Sequence, residues 1–144
     1  MKISAAYQIV LADDHTLFRE GLRRILSERI DLEVVGEAAD SSDLLTLLRR
    51  STPDLVVLDL SFPTLGGIET TREIKRMHPR MKVLILTMHK SHEYLNHALT
   101  NGADGYSLKE DAMPDLLSAI ETIMRGEVYV SPLLSGKSEN VQVR

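Results

Sequence analysis

The chain has 144 residues, 43% of them hydrophobic and 26% charged, which is enough for one domain with a sizeable core. Lys and Arg number 17 against 21 Asp and Glu, a net charge of -4 that argues against holding nucleic acid by bulk phosphate neutralisation. The absence of cysteine excludes disulfides, thiolate metal sites and a cysteine nucleophile. No apolar run approaches the roughly 20 residues of a membrane span and no signal-peptide core opens the chain, so a cytoplasmic protein without a membrane partner is expected.

Short apolar runs recur at residues 9–12, 32–35, 55–58, 83–86 and 105–108. Their length and continuity suit strands covered on both faces, as in a parallel sheet. Helical stripes alternate with them. The first holds Leu17, Phe18, Gly21, Leu22, Ile25 and Leu26; the second, Leu44, Leu45, Leu47 and Leu48; the third, Ile68, Ile74 and Met77. The fourth holds Tyr94, Leu95, Ala98 and Leu99, and the fifth Met113, Leu116, Leu117, Ile120, Ile123 and Met124. Asp40, Ser41 and Ser42 offer N-cap oxygens to the second helix, Pro53 and Pro79 follow the second and third, and Gly102 and Gly126 stop the fourth and fifth. The pattern predicts a (βα)5 domain of three αβα layers with right-handed crossovers. Val128, Tyr129 and Val130 offer one short extension, and residues 135–144 read as a polar, flexible tail.

Functional groups in an open parallel α/β sheet collect at the carboxyl ends of the strands. Here those ends carry Asp13 and Asp14 after the first strand, Asp59 after the third, Thr87 after the fourth and Lys109 after the fifth. Three crowded carboxylates repel one another unless a cation compensates, and Mg²⁺ takes carboxylates together with water and phosphate oxygens. Asp59 is the central carboxylate and Asp can act as a phosphoryl nucleophile. Thr87 and Lys109 then suit the remaining phosphoryl oxygens as a hydroxyl donor and a cation.

These residues resemble the receiver domain of bacterial two-component response regulators. The resemblance covers about residues 7–126 and rests on Asp13-Asp14, on Leu58-Asp59-Leu60-Ser61-Phe62-Pro63 with Gly67, and on Thr87, Tyr106 and Lys109. DDHTLFREGL from Asp13, NGADGYSLK from Asn101 and GEVYVSP from Gly126 resemble the NarL/FixJ (LuxR-type) subfamily. The resemblance implies a flavodoxin-like sheet of order 2-1-3-4-5 and Asp59 as phosphoacceptor. It implies Mg²⁺ held by Asp14 and Asp59, with Asp13 acting through water and Ser61 through its backbone carbonyl. A sensor histidine kinase is the implied donor, and phosphorylation would draw in Thr87, let Tyr106 turn inward and reshape the surface of the fourth helix, fifth strand and fifth helix. Without the family, Tyr106 reads as a half-buried aromatic with its hydroxyl at the surface.

Residues 127–144 are expected to be a linker toward a helix-turn-helix output domain, so that DNA is reached only through a part this chain does not include. The alternative is a stand-alone receiver acting through protein contacts, and phosphorylation-dependent homodimers belong to the same family repertoire. Phe62 departs from the commoner Met. A Mg²⁺-dependent Asp-nucleophile phosphohydrolase would want an acid where Ser61 stands, and a nucleotide or flavin binder would not place Asp13-Asp14 in its phosphate loop. The protein is therefore read as a phosphoacceptor that assists its own phosphorylation and dephosphorylation, not as an enzyme with a separate substrate. His89, His92 and His97 read as surface residues, and His15 as a capping or neighbouring residue. Arg19, Arg23, Arg24 and Arg29 read as a solvated face, and Met77, Met81, Met113 and Met124 as core filling.

Overall fold

The computed structural model describes residues 6–134. The chain alternates β1 (Tyr7–Ala12), α1 (Thr16–Leu26), β2 (Leu32–Ala38), α2 (Ser41–Arg50), β3 (Leu55–Asp59) and α3 (Gly67–Met77). It continues through β4 (Lys82–Thr87), α4 (His92–Thr100), β5 (Gly105–Leu108), α5 (Lys109–Met124) and β6 (Tyr129–Val130). All pairings are parallel and the strand order is β2-β1-β3-β4-β5-β6, the expected order with one strand added.

Strand alternation divides the core in two. Ile9, Leu11, Leu55, Val57, Leu84 and Leu86 face α1 and α5, where they meet Leu22, Leu26, Leu116 and Ile120. The intervening Val10, Val56, Leu58, Val83 and Ile85 face the other helices through Leu44, Leu48, Ile74, Leu95 and Ala98. Both faces of every central strand are thus dry, which is why β1, β3 and β4 read as unbroken apolar runs. Each fully buried Leu or Ile contributes roughly 1.5–3 kcal/mol of transfer free energy.

Helix ends follow the local chemistry. Asp40 accepts a hydrogen bond from the Asp43 N–H and caps α2. Gly102 and Gly126 take φ of 103° and 85° just past α4 and α5, conformations that a side chain disfavours.

Several expectations needed correction. β2 runs three residues beyond Val35, to Ala38, because Gly36, Glu37 and Ala38 continue pairing with Val10, Leu11 and Ala12 past a register shift that leaves Val35 as the extra residue. Gly36 and Glu37 interrupt the apolar run there, so the sequence pattern stopped early. Leu17 is 83% exposed, and Tyr94 and Met124 are also exposed, so these three leave their stripes. Arg19 and Arg29 are not simply solvated: Arg19 Nε donates to Glu37 at 2.6 Å, while Arg29 is shared between Asp31 and Glu121. The segment after Gly126 enters the sheet through β6, where Ser131 and Leu134 are buried. The tail expected at 135–144 lies outside the described residues.

Candidate functional site

The parallel order places the ends of β1, β3, β4 and β5 on one edge, and the expected charged groups meet there. Asp13 and Asp59 are buried, at 2% and 3% exposure, whereas Asp14 is exposed at the rim. Lys109 is buried as the first residue of α5, with Nζ 2.9 Å from Asp13 Oδ2 and 3.6 Å from Asp59 Oδ1. Its ammonium also stands 4.7 Å from the centre of the Phe18 ring, a cation–π contact that helps fix a flexible side chain.

Asp59 is held from its own loop. The Ser61 N–H donates to Asp59 Oδ1 at 3.2 Å, and the Leu60 N–H donates to the Leu86 carbonyl at 2.8 Å. Gly67 closes this loop: its N–H reaches the Leu60 carbonyl at 2.7 Å, and a Cβ there would stand 2.7 Å from the Asp59 carbonyl oxygen. Asp59 Oδ2 is buried and has no hydrogen-bond partner. Burial, then the neighbouring Asp13 charge, pushes the Asp59 carboxyl above its ordinary value; Lys109, the Ser61 N–H and His15 act against that shift.

A buried, unpartnered carboxylate oxygen in an acidic pocket suits a hard cation. Asp13, Asp14, His15 and Asp59 each bring one donor atom within 4.8 Å of the others, so the residues present fit a divalent ion. His89, His92 and His97 form no such group among the described residues.

Thr87 and Tyr106 are both buried beside this edge. The Thr87 hydroxyl oxygen accepts from the His89 N–H at 2.9 Å. Tyr106 is 0% exposed, so its ring stands inside the core and not at the surface. Its hydroxyl faces Thr87 without a hydrogen bond of ordinary geometry, and burial pushes its pKa up to about 12.

Of the two roles expected of His15, cap and neighbour of the acidic pair, the structure shows the second, and Arg19 has partners that the sequence did not signal. His15 makes no side-chain cap bond; its Nδ1 instead lies 2.9 Å from Asp13 Oδ1 and 3.2 Å from Lys109 Nζ. Its place directly after the acidic pair was the available signal. Arg19 donates to the Asp13 backbone carbonyl as well as to Glu37, which ties α1 to the end of β1 and to β2. Nothing in the local pattern distinguished Arg19 from the other arginines of α1.

A flavodoxin-like sheet with buried aspartates, a lysine and a threonine on one edge defines the receiver class of signalling domain. The chain belongs to the response regulator receiver domain family, whose model matches residues 9–121. It is 38% identical over 125 residues to the transcriptional regulatory protein DegU of Brevibacillus brevis, covering 87% of this chain and 53% of that protein. It is 41% identical over 129 residues to the oxygen regulatory protein NreC of Staphylococcus carnosus, covering 89% of this chain and 59% of that protein. The chain thus spans a little over half the length of these curated relatives. A crystal structure of a LuxR-family two-component response regulator from Aurantimonas sp. SI85-9A1 matches with a TM-score of 0.90 and 40% identity, covering 98% of this chain and 100% of that one.

Proposed function

We propose that this chain is a phosphorylation-activated switch in which Asp59 receives a phosphoryl group from the phosphohistidine of a sensor histidine kinase. The observation that carries this reading is the Asp59 carboxylate itself, buried beside Asp13 and Lys109 with Oδ2 unpartnered. A carboxylate oxygen of Asp59 attacks phosphorus, the P–N bond to the donor imidazole breaks, and its electron pair stays on the ring nitrogen, which is then protonated. The product is an acyl phosphate on Asp59. Lys109 supplies a fixed ammonium to the phosphoryl oxygens and Thr87 a hydroxyl donor, so catalysis is positioning and electrostatics.

Asp14 and Asp59 would hold Mg²⁺, with Asp13 acting through water and Ser61 through its carbonyl, and the ion would supply positive charge against the transferring group. The same residues serve hydrolysis, in which water attacks phosphorus, the P–O bond to the Asp59 carboxylate breaks and inorganic phosphate leaves, so the domain assists its own phosphorylation and dephosphorylation.

The readout runs through Thr87 and Tyr106. A phosphoryl group at Asp59 draws the Thr87 hydroxyl toward it and changes the surroundings of the Tyr106 ring, which biases the surface of α4, β5 and α5. The inward place of Tyr106 is already taken in this structure, so the switch lies in how firmly Thr87 holds that arrangement. Residues 7–126 carry the receiver, β6 and Leu134 extend its sheet and core, and the output to which it reports is transcriptional. The name of the DegU relative, a transcriptional regulatory protein, supports that last step.

The test is intact-mass spectrometry after incubation with Mg²⁺ and acetyl phosphate, alongside Asp59→Asn. A gain of one phosphoryl group that requires Mg²⁺ and vanishes in the variant is expected. No gain from folded protein, with acetyl phosphate or with a purified sensor kinase, would overturn the reading.

A further inference from the structure

We propose that His15 is a fourth donor of the acidic cluster, through Nδ1, and that it tilts the cation site toward first-row transition-metal ions over Mg²⁺. This rests on the reading of the cluster as a cation site, but not on phosphoryl transfer to Asp59.

The imidazole is held over the pocket by its backbone. The His15 N–H donates to Asp13 Oδ1 at 2.8 Å, and the His15 carbonyl accepts from the Arg19 N–H at 3.0 Å as α1 begins. From there Nδ1 lies 2.9 Å from Asp13 Oδ1, 3.6 Å from Asp14 Oδ1 and 3.9 Å from Asp59 Oδ2. The last of these is the buried oxygen that lacks a partner, and it lies on the inner side of the same cluster.

Nδ1 has both a donor and an acceptor as neighbours. The Lys109 ammonium 3.2 Å away can only donate, whereas an ionised Asp13 at 2.9 Å can only accept. One ring nitrogen is either N–H or lone pair, so it satisfies one neighbour and opposes the other. The His15 side chain is 62% exposed, which leaves Nε2 free to keep the proton toward solvent. In that tautomer Nδ1 presents its lone pair to the cluster. Asp13 Oδ1 keeps its bond from the His15 backbone N–H, so it is not stripped of donors by this tautomer.

Ligand chemistry decides which ion benefits. Imidazole nitrogen suits Zn²⁺, Ni²⁺ and Co²⁺, while Mg²⁺ prefers carboxylates and retained water. Adding one imidazole to the oxygen donors therefore discriminates among divalent ions in a way that the oxygen donors alone do not.

The experiment is calorimetric titration of the full chain with Mg²⁺, Ni²⁺ and Zn²⁺, comparing wild type, His15→Ala and His97→Ala. His15→Ala should weaken Ni²⁺ and Zn²⁺ by at least about tenfold, the scale seen when a residue supporting a metal site is removed. Its Mg²⁺ affinity should stay within about twofold, because Mg²⁺ readily substitutes water for a nitrogen donor. His97→Ala, at an exposed position of α4, should bind all three ions as wild type does. A second readout is proton magnetic resonance of the Co²⁺ complex: a hyperfine-shifted exchangeable resonance from the His15 Nε2–H should be present in wild type and absent in His15→Ala. Equal weakening for all ions, no weakening for any, or no shifted resonance in wild type would each overturn the proposal. Mg²⁺ binding with normal Asp59 phosphorylation but no change in ion preference sinks this inference alone. Loss of all ion binding together with failed phosphorylation would sink the proposed function as well.

Discussion

Asp59 sits where water has been removed and another carboxylate placed beside it, so the folded state holds its proton more tightly than the unfolded chain does. The raised value makes ionised Asp59 a destabilising group above that value, and proton uptake relieves the penalty as pH falls through it toward the ordinary carboxylate range. Asp59→Asn removes the charge without changing the shape, so in chelator it should melt higher than wild type near neutral pH. That gap should narrow on acidification; thermal melts across pH would count against the account if the gap widened instead. Lys109 is the counterweight, buried against Asp13 and Asp59. Lys109→Met leaves two buried carboxylates uncompensated and should cost about 3–5 kcal/mol in urea unfolding without divalent ions, the scale for breaking a buried pair. Added Mg²⁺ should return part of that loss; an unchanged unfolding midpoint in Lys109→Met would mean the ion pairs are energetically neutral. Asp13, Asp14, Asp59, Thr87 and Lys109 were all legible as strand-end residues, because polar groups after apolar runs stand out. His15 was legible only as a neighbour of the acidic pair and Arg19 not at all, since their contacts depend on where the first turn of α1 points relative to β1 and β2.

The β3–α3 loop shows how an element's backbone positions the site. Thr64 takes φ of 86°, a left-handed conformation that costs a β-branched residue roughly 1–2 kcal/mol. Thr64→Gly should therefore raise the unfolding free energy by up to about 1 kcal/mol, less than the full strain because glycine also gains freedom in the unfolded chain. Gly67 is constrained in the opposite sense, by close approach to backbone. A Cβ there meets both the Asp59 carbonyl oxygen and Leu60 Cα at 2.7 Å, neither of which can rotate away. Gly67→Ala should cost about 1–3 kcal/mol by overpacking, and should slow Asp59 phosphorylation because the shift falls on that residue's own peptide. A variant with wild-type stability and labelling rate would show that the loop is soft. Elements were legible where periodicity was pure: the central strands, and α5 with its long apolar stripe. β6 was only half legible, because Tyr129 and Val130 make a two-residue strand whose place depends on Ser131. That hydroxyl accepts from the Leu108 N–H at 2.8 Å and donates to the Ser107 hydroxyl at 3.2 Å, contacts between distant parts of the chain that no local pattern encodes.

Across the whole molecule, the residues of the acidic edge arrive from the two ends and the middle of the fold, and only the sheet order makes them neighbours. The order β2-β1-β3-β4-β5-β6 sets β1 beside β3, so that Asp13 and Asp59 confront each other although 46 positions apart in the sequence. The unfolded chain cannot present that group, so a cation bound there binds the native state alone and its free energy adds to folding. At a hundredfold excess over Kd the gain is about 2.7 kcal/mol, which for a domain of this size corresponds to a rise in Tm of roughly 10 °C. Mg²⁺ should therefore raise the Tm of wild type in a concentration-dependent way that follows this logarithmic law. The cation also offsets the charge that burial penalises on Asp59, so the rise should fade at acid pH as the Asp59 carboxyl takes up its proton. Asp59→Asn should start higher in chelator and gain less from Mg²⁺, so the two melting curves converge as the ion is added. If wild type and Asp59→Asn gained equally, the stabilising ion would be bound somewhere other than the edge formed by β1, β3 and α5.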